Sequence, residues 1–388
     1  MIKRDVEKKL KYLATKFPVV AVLGPRQSGK TTLVQDVFKK HTYLSLEDLD
    51  VRGLAESDPR RFLEDYENKH GIILDEIQNV PSLLSYIQTY VDKQKKEGYF
   101  VLIGSQNFLI NQAITQTLAG RIAILTLLPL SINEMKKEKI IPANIRAALF
   151  KGCYPRLYDK KVKPTDLYQY YIRTYIERDV RQIINVTNLT TFKNFLKLCA
   201  GRIGQLLNIS SLGNDCGISA VTAKAWLSLL EESYIVFLLQ PYYKNFSKRI
   251  VKSPKIYFYD TGIACSLLGI DSYAQLTTHY LRGGLFESYI ISDLMKQFYN
   301  QGKMPPLHFW RDKHGHEIDC IIEKADTLIP IEIKAGKTVS QDYFKGLDYW
   351  NSLTNSNPKN SYVVYAGKTN HKRANGNIVS WRSVTEII

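Results

Sequence analysis

Residues 19–32 hold the feature that most constrains the fold of this chain. An unbroken apolar run at 19–23 is followed by a glycine-containing loop and then by Lys-Thr-Thr. Gly24, Gly29, Lys30 and Thr31 satisfy the spacing Gly-x4-Gly-Lys-Thr, and an amphipathic stretch continues to about residue 40. Short continuous apolar runs are typical of buried parallel strands. The pattern therefore predicts a strand, a phosphate-binding loop and a helix in that order.

Such a loop binds phosphate through its backbone, because glycines let consecutive N–H groups point inward at the positive end of the following helix. Lys30 is expected to reach the β- and γ-phosphates of ATP, and the Thr31 hydroxyl is expected to join a Mg²⁺ shell. An ordinary glycine-rich turn is the alternative, which the strand-loop-helix context disfavours. The predicted nucleotide-contacting residues are Gly24, Pro25, Arg26, Gln27, Ser28, Gly29, Lys30, Thr31 and Thr32.

A second apolar run at 71–74 ends in Asp75 and Glu76, about 45 residues beyond the loop. Asp75, at the carboxyl end of this strand, is predicted to hold Mg²⁺ directly or through water. Glu76 is predicted to act as the general base that polarises the attacking water. The second acid favours hydrolysis over phosphoryl transfer to an acceptor.

Four more residues are candidates for the same chemistry. Ser105 or Asn107, which follow an apolar strand at 99–103, are candidates to sense the γ-phosphate, although either is also a turn former. Arg121 is a candidate to stabilise the transferred charge, in cis or across a subunit interface, with a surface ion pair as the alternative. Arg156 is a candidate interface or nucleotide-sensing group. The interface roles predict a homo-oligomer.

The charge balance indicates a polyanionic partner. Lys plus Arg exceed Asp plus Glu by 53 − 37, or +16, and the isoelectric point is about 9.4. Nucleic acid is the partner that such a balance favours, with simple solubility as the alternative. No apolar run approaches the length of about 20 residues that a membrane-spanning helix needs. Five dispersed cysteines argue against a zinc site or a disulfide framework, so we expect a cytoplasmic protein with reduced thiols.

Residues 192–265 predict a DNA-binding module. One helix is expected over 192–207, a second begins at Ile209, a tight turn lies at 217–219, and a third helix ends near Glu232 before a strand at 234–239. This is the order of a winged helix-turn-helix. Segment 242–259 has no acidic residue, and aromatic side chains alternate with Lys244, Lys248, Arg249, Lys252 and Lys255. It is expected to form a wing that contacts DNA phosphates, or else a protein-contact surface.

The last part of the chain contains a second group of charged residues. Glu287 lies in a predicted helix, Asp319 in a strand at 317–322, and Glu332 with Lys334 in a strand at 329–334. The two-residue period of a strand places Glu332 and Lys334 on one face. Asp319 and Glu332 are predicted to hold Mg²⁺, while Lys334 orients the attacking water and Glu287 completes the site. A solvated charged face, or a retained but silent site, is the alternative.

These residues together resemble a bacterial and archaeal ATPase family with an AAA-type N-terminal domain and a DUF4143 C-terminal region. The similarity covers nearly the whole chain, and its C-terminal part is similar to the PD-(D/E)xK nuclease superfamily. The residues that carry it are 24–32 (GPRQSGKTT), 74–78 (LDEIQ), 118–121 (LAGR), 152–156 (GCYPR), 175–180 (YIERDV), 260–262 (DTG) and 331–334 (IEIK).

The resemblance implies an α/β chain built from an AAA+-like P-loop NTPase core, a helical lid, a winged helix-turn-helix and a restriction-endonuclease-like α/β domain. We place these domains at residues 1–130, 131–190, 191–275 and 276–388. The first interpretation is an ATPase that acts on DNA and carries a Mg²⁺-dependent nuclease-like domain. The second is an ATP-dependent regulatory switch, of the signal-transducing NTPase kind, whose nuclease fold only binds DNA or a protein.

Overall fold

Two units make up the computed structural model, which describes residues 2–94, 96–105, 116–176, 189–243, 251–325 and 327–388. The first unit comprises Met1–Leu130, Glu232–Tyr234 and Phe298–Met304, and the second comprises Ser131–Glu231, Ile235–Gln297 and Pro305–Ile388. Asn107, Lys244, Lys248 and Arg249 lie outside the described residues. All five cysteines are free thiols, and within the described ranges no helix is long and apolar enough to cross a membrane.

A five-stranded parallel sheet in the order β2-β3-β4-β1-β5 organises the first unit. The strands are β1 Val19–Gly24, β2 Thr42–Ser45, β3 Ile72–Asp75, β4 Phe100–Ser105 and β5 Ile122–Thr126. The helices are α1 Glu7–Ala14, α2 Lys30–Val37, α3 Leu49–Ser57, α4 Pro59–Asp65 and α5 Leu83–Gln94. The predicted strand, loop and helix around the glycine loop are confirmed, as are the apolar strands near residues 72 and 100.

Both faces of this sheet are covered, which explains why its central strands are runs of apolar residues up to their carboxyl ends. Alternate residues of β1 point to opposite faces. Val19 and Ala21 pack into a core with Phe62 of α4, whereas Val20 packs with Leu33 of α2. The unit is therefore a three-layer α/β sandwich, and the carboxyl ends of its parallel strands meet at one edge.

Helices form the first part of the second unit. They are α6 Ile132–Lys137, α7 Ile145–Lys151, α8 Arg156–Asp159, α9 Pro164–Tyr171, α10 Leu189–Gly201, α11 Ile209–Cys216, α12 Ala220–Glu232, α13 Thr261–Leu267 and α14 Arg282–Asn300. Side chains cap two of these helices: Ser131 and Glu134 form a capping box at α6, and Ser219 Oγ accepts from the Thr222 N–H of α12 at 3.0 Å. The predicted helix over 192–207 is wrong at its end, because α10 stops at Gly201 and Gly204 has a φ of +78°.

Between α12 and α13, β6 Val236–Leu239 pairs antiparallel with β7 Lys255–Phe258. The prediction that 242–259 forms an exposed wing is wrong for β7, since every residue of this strand is buried. Lys255, at its first position, is only 3% exposed. Lys252 is exposed and stays a candidate for phosphate contact.

A six-stranded mixed sheet ends the chain, in the order β12-β13-β11-β10-β9-β8. Its strands are β8 Leu307–Arg311, β9 Glu317–Lys324, β10 Thr327–Lys334, β11 Tyr362–Tyr365, β12 His371–Arg373 and β13 Gly376–Ser380, and α15 Lys345–Thr354 connects β10 to β11. Trp310, Ile318 and Trp350 belong to the apolar core that packs the sheet against α15. The predicted strands at 317–322 and 329–334 are confirmed as β9 and β10.

Candidate functional site

The loop between β1 and α2 is shaped by its glycines. Gly24 has a φ of +152°, and a Cβ atom there would lie 2.3 Å from the Leu127 carbonyl oxygen. Any residue with a side chain would therefore clash at this position. Gly29 is left-handed, with a φ of 93°, and precedes α2 without offering a side-chain cap. The first N–H groups of α2 therefore have no capping side chain at this residue, and they present the positive end of the helix to the loop.

Lys30, the first residue of α2, is buried under the loop. Its Nζ donates to the carbonyl oxygens of Gly24 and Pro25, both at 2.9 Å. Burial lowers the pKa of Lys30 to about 8, although Glu76 and Asp75 act in the opposite direction. The ammonium group is thus held inside the loop, where the phosphates of a nucleotide would lie.

Thr31 and Asp75 meet beside Lys30. The Thr31 Oγ1 donates to Asp75 Oδ2 at 2.7 Å, and the Tyr43 hydroxyl donates to the same oxygen at 2.9 Å. Asp75 is only 4% exposed. A hydroxyl and a buried carboxylate are hard oxygen ligands of the kind that Mg²⁺ prefers. The residues present therefore fit the predicted metal.

Glu76 is held at the same edge of the sheet. It is left-handed, with a φ of 55°. Its Oε2 accepts from Ser105 Oγ at 3.1 Å and from the Gln78 amide, which also donates to Ser105 at 3.0 Å. Ser105 ends β4, the strand between β1 and β3. The fold thus brings together the loop, the two acids and the serine from three neighbouring strands.

Arg4 is a contributor to the loop that sequence reasoning missed. Its guanidinium donates to the carbonyl oxygens of Ser28 and Leu128, each at 2.7 Å, and the residue is 8% exposed. These bonds tie the phosphate loop to the segment after β5. A single arginine in a basic N-terminal stretch carries no sequence signal of burial.

Arg121 lies far from its own phosphate loop. It precedes Ile122, which pairs with Val19 at the start of β1, whereas the loop begins at Gly24. At about 3.3 Å per strand residue, the two ends are some 16 Å apart. Its Nη2 donates to Asp92 at 2.9 Å on the surface. A role in cis is therefore wrong, and only a role in trans stays a prediction. Arg156 is exposed at the start of α8, and its nucleotide role is likewise untested.

In the second unit, Asp319 and Glu332 lie on the antiparallel strands β9 and β10, each one residue beyond the last pair of the register, Cys320 with Ile331. Asp319 Oδ2 accepts from the Ile333 N–H at 2.7 Å and from Lys334 Nζ at 3.4 Å, and Lys334 also pairs with Glu332. Burial raises the pKa of Asp319, but Lys334 and Lys255 outweigh it, so the net shift is downward. Burial and Asp319 raise the pKa of Glu332 well above its usual range. The structure therefore brings together the three residues predicted on these strands, Asp319, Glu332 and Lys334.

Glu287 of α14 joins this cluster together with residues that the sequence did not predict. Its Oε2 accepts from the Tyr257 hydroxyl at 3.0 Å and lies 3.8 Å from Lys255 Nζ, which also pairs with Glu317. Burial, with Asp319, raises the pKa of Glu287 to about 8. Within the described ranges, no group of three or more acidic, histidine or cysteine side chains is arranged to hold a metal ion. Two lysines lie among the carboxylates instead.

Three family models match the chain in succession. Residues 16–136 match an AAA domain, 143–274 the domain of unknown function DUF8612, and 282–384 the domain of unknown function DUF4143. The chain carries an AAA domain. The AAA and DUF4143 parts of the resemblance are thereby confirmed, and the first unit is an AAA-like P-loop ATPase with a parallel sheet core.

The relatives that match most of the chain have no described function. Uncharacterized proteins of Mycobacterium tuberculosis (strain ATCC 25618 / H37Rv) and Mycobacterium bovis (strain ATCC BAA-935 / AF2122/97) are each 28% identical over 341 residues, or 87% of this chain and 75% of the relative. The Walker-type ATPase PABY2304 of Pyrococcus abyssi is 15% identical, with a TM-score of 0.48 over 69% of this chain and 96% of that chain.

The family boundaries clarify where the C-terminal cluster comes from. Lys255 belongs to the DUF8612 match, whereas Glu287, Glu317, Asp319 and Glu332 belong to the DUF4143 match. The cluster is thus completed by a lysine from outside the domain that supplies its carboxylates. No local pattern around residue 255 predicts such a partner.

The lowered pKa of Lys30 leads to a prediction about pH. Nucleotide phosphates favour the charged ammonium, so above about pH 8 the AAA domain must take up a proton when ATP binds. ATP affinity is expected to fall as pH rises from 8 to 9, by at most about tenfold per unit. Calorimetry of ATP binding in two buffers of different ionisation enthalpy measures this uptake. Binding at pH 9 without proton uptake would contradict it.

Proposed function

We propose that the AAA domain binds ATP with Mg²⁺ and hydrolyses it. The observation that carries this proposal is the contact between Thr31 and Asp75 at the same sheet edge where Glu76 is held by Ser105. Lys30 binds the β- and γ-phosphates, and Glu76 takes the proton from the attacking water. Thr31 and Asp75 would hold Mg²⁺, which supplies charge neutralisation at the phosphates when bound. Ser105 reports the state of the γ-phosphate to Glu76.

Steady-state ATP turnover of the full chain tests the proposal. Hydrolysis is expected with Mg²⁺, and it is expected to disappear in EDTA and in Lys30→Ala, because that variant lacks the charge that faces the phosphates. Lys39→Ala is the matched control, since the Lys39 side chain is 73% exposed and ion-paired only with Asp36 in the described contacts. A Lys30→Ala protein that turns over ATP at the parent rate would refute the assignment.

Assembly into a homo-oligomer is part of the same proposal. Arg121 lies at the amino ends of the strands, whereas its own phosphate loop lies at their carboxyl ends. It can therefore reach a nucleotide only in another copy of the chain. Its ion pair with Asp92 is on the surface and therefore contributes little to stability. An arginine supplied in trans would make the specific rate of hydrolysis depend on protein concentration.

DNA contact and Mg²⁺-dependent cleavage form a second candidate function for the second unit. The net charge of +16 supports a nucleic-acid partner. The order α10, α11, α12, β6 and β7 supports a winged helix-turn-helix, and Lys252 is the exposed cation among the described residues of its predicted wing, 242–259. A nuclease-like, restriction-endonuclease-like domain is supported by Asp319, Glu332 and Lys334 on adjacent strands. The regulatory switch is the alternative, and the two lysines that neutralise the cluster support it.

Cleavage can be tested apart from ATP turnover. If the candidate is correct, Asp319→Ala and Lys334→Ala each abolish Mg²⁺-dependent cutting of plasmid and single-stranded DNA, since they remove a metal ligand and the group that orients water. ATP turnover is expected to be unchanged, and Ca²⁺ is expected to support binding without cutting. Asp342→Ala, with a side chain 72% exposed, is the control. DNA binding without any cutting in Mg²⁺ or Mn²⁺ would favour the switch.

A further inference from the structure

The second unit contains a cavity of about 300 Å³ that neither proposed reaction uses. Three segments of the chain enclose it: α7, the residues around the start of α14, and the residues just after β10. Its polar lining includes Arg146, Arg282 and Lys337. Among its described lining residues there is no Asp or Glu. The described lining of the cavity therefore carries three positive charges and no carboxylate.

The two arginines are anchored by neutral acceptors. Arg146 Nη1 donates to the Thr277 hydroxyl, and Arg282 Nη1 donates to the Thr277 carbonyl oxygen at 2.8 Å. The Nε of Arg146 is buried and finds no hydrogen-bond partner among the described residues. The remaining guanidinium donors of the two arginines are the groups that can meet a ligand in the cavity, and guanidinium groups form strong charge-assisted hydrogen bonds with phosphate oxygens. The geometry holds both guanidinium groups in place without neutralising them.

The rest of the lining is apolar. Ile145, Leu149 and Phe286 form this part of the wall. A small inorganic anion would leave these side chains without a partner, whereas a nucleoside carries a flat apolar face beside its phosphate. The combination of three cations with an aliphatic and aromatic wall matches a nucleotide.

The cavity also adjoins the carboxylate cluster along the chain. Phe286 directly precedes Glu287, and Ala335 of the lining directly follows Lys334. A nucleotide held in the cavity would therefore lie next to the segments that carry the cluster.

We infer that this cavity binds the 5′-phosphoryl group of a nucleotide together with its nucleoside. The nucleotide is either free or the terminal residue of a single strand, since both present the same chemistry. The inference goes beyond the proposed function, because it requires neither ATP hydrolysis nor strand cleavage. Arg146 and Arg282 contact the phosphate, and Lys337 adds a third, more exposed charge.

Calorimetric titration of the full chain carrying Lys30→Ala tests the inference, since that variant removes the lysine of the phosphate loop. The probes are thymidine 5′-monophosphate and a six-nucleotide single strand with either a 5′-phosphate or a 5′-hydroxyl. EDTA is present throughout, so that the result does not depend on a metal site. The test variant is Arg146→Gln with Arg282→Gln. Lys368→Gln with Lys372→Gln is the matched control, because both lysines are exposed on the same unit.

The test variant is expected to weaken binding of the monophosphate by at least about tenfold, which corresponds to the loss of one charge-assisted hydrogen bond. Arg282→Lys, which keeps the charge, is expected to retain part of the affinity. The bound nucleotide is a strand end if the 5′-phosphorylated strand binds, if the test variant weakens its binding by the same factor, and if the 5′-hydroxyl strand does not bind. A free nucleotide is the source if only the monophosphate responds.

The inference is overturned if neither phosphorylated probe binds, or if the control pair weakens binding as much as the test pair. Should the double variant fail to fold, Lys337→Gln decides the question, because Lys337 is exposed and its replacement leaves the core unchanged. A loss of about threefold or more supports the site. The inference is overturned if Lys337→Gln and Arg282→Lys both bind the phosphorylated probes with the affinity of the parent.

Discussion

Replacing Glu76 with glutamine is expected to lower the rate of ATP hydrolysis by about 10²–10⁴-fold while ATP binding persists, as for loss of a general base. Glutamine has nearly the same size, so the contacts with Ser105 and Gln78 can be retained without the basic carboxylate. Lys30, Thr31 and Asp75 are untouched, and these are the residues proposed to hold the nucleotide and metal. The variant is therefore expected to accumulate in the ATP-loaded state.

Binding and turnover must be measured on the same preparation. ATP affinity comes from calorimetry, and the rate comes from phosphate release with saturating ATP and Mg²⁺. Glu64→Gln is the matched control, because it makes the same chemical change at an exposed position of α4. Unchanged turnover in Glu76→Gln would exclude Glu76 as the base, and loss of ATP binding would show that its carboxylate shapes the loop instead.

The arrangement of the candidate ATP site could be predicted because its signals are local. Residues 24–31 determine the turn, the start of the helix and the buried lysine within one short segment. Asp75 and Glu76 follow an apolar strand, and the carboxyl ends of parallel strands meet at one edge. The same reasoning placed Asp319, Glu332 and Lys334 together, since neighbouring strands with a two-residue period present them on one face.

The residues that were missed have partners far away in the sequence. Lys255 lies in a segment without acids, which is typical of an exposed basic surface, but Glu317 pairs with it from 62 positions away. Arg4 reaches Leu128 across 124 positions. Whether a charged side chain is buried depends on such tertiary partners, and no local pattern records them. The cavity beside α14 was missed for the same reason, because three separate segments enclose it.

Lys255→Met is expected to destabilise the second unit by about 3 kcal/mol, near the lower end for breaking a buried ion pair. Lys255 is 4% exposed in its side chain, while its partner Glu317 is 22% exposed, so water compensates part of the loss. Methionine keeps the apolar stem of the lysine, so the volume of the core changes little. The lost energy is therefore electrostatic. Lys252→Met, at an exposed position three residues away, is expected to stay within about 0.5 kcal/mol of the parent.

The size of this loss is expected to grow with pH. The folded-state pKa of Glu287 is raised from 4.5 to about 8, so the native state binds more protons than the unfolded state in that window. Stability contributed by this group is complete below pH 4.5 and is lost as pH rises through 8, at up to about 1.4 kcal/mol per unit. Without the Lys255 ammonium, a charged Glu287 is less tolerated still. Lys255→Met is therefore expected to be closest to the parent at pH 5 and furthest from it above pH 8.

Urea unfolding of the full chain in EDTA at pH 5, 7 and 8.5 measures the free energy of unfolding of each variant. The transition is monitored with a spectroscopic probe in the second unit. Adding Glu287→Gln and Glu317→Gln to Lys255→Met removes the charges that the lysine balanced, so the triple variant is expected to recover much of the lost stability. If Lys255→Met is as stable as Lys252→Met at pH 8.5, the lysine does not hold the carboxylate cluster together. Recovery in the triple variant would instead show that Lys255 acts through Glu287 and Glu317, as the 3.8 Å approach to Glu287 implies.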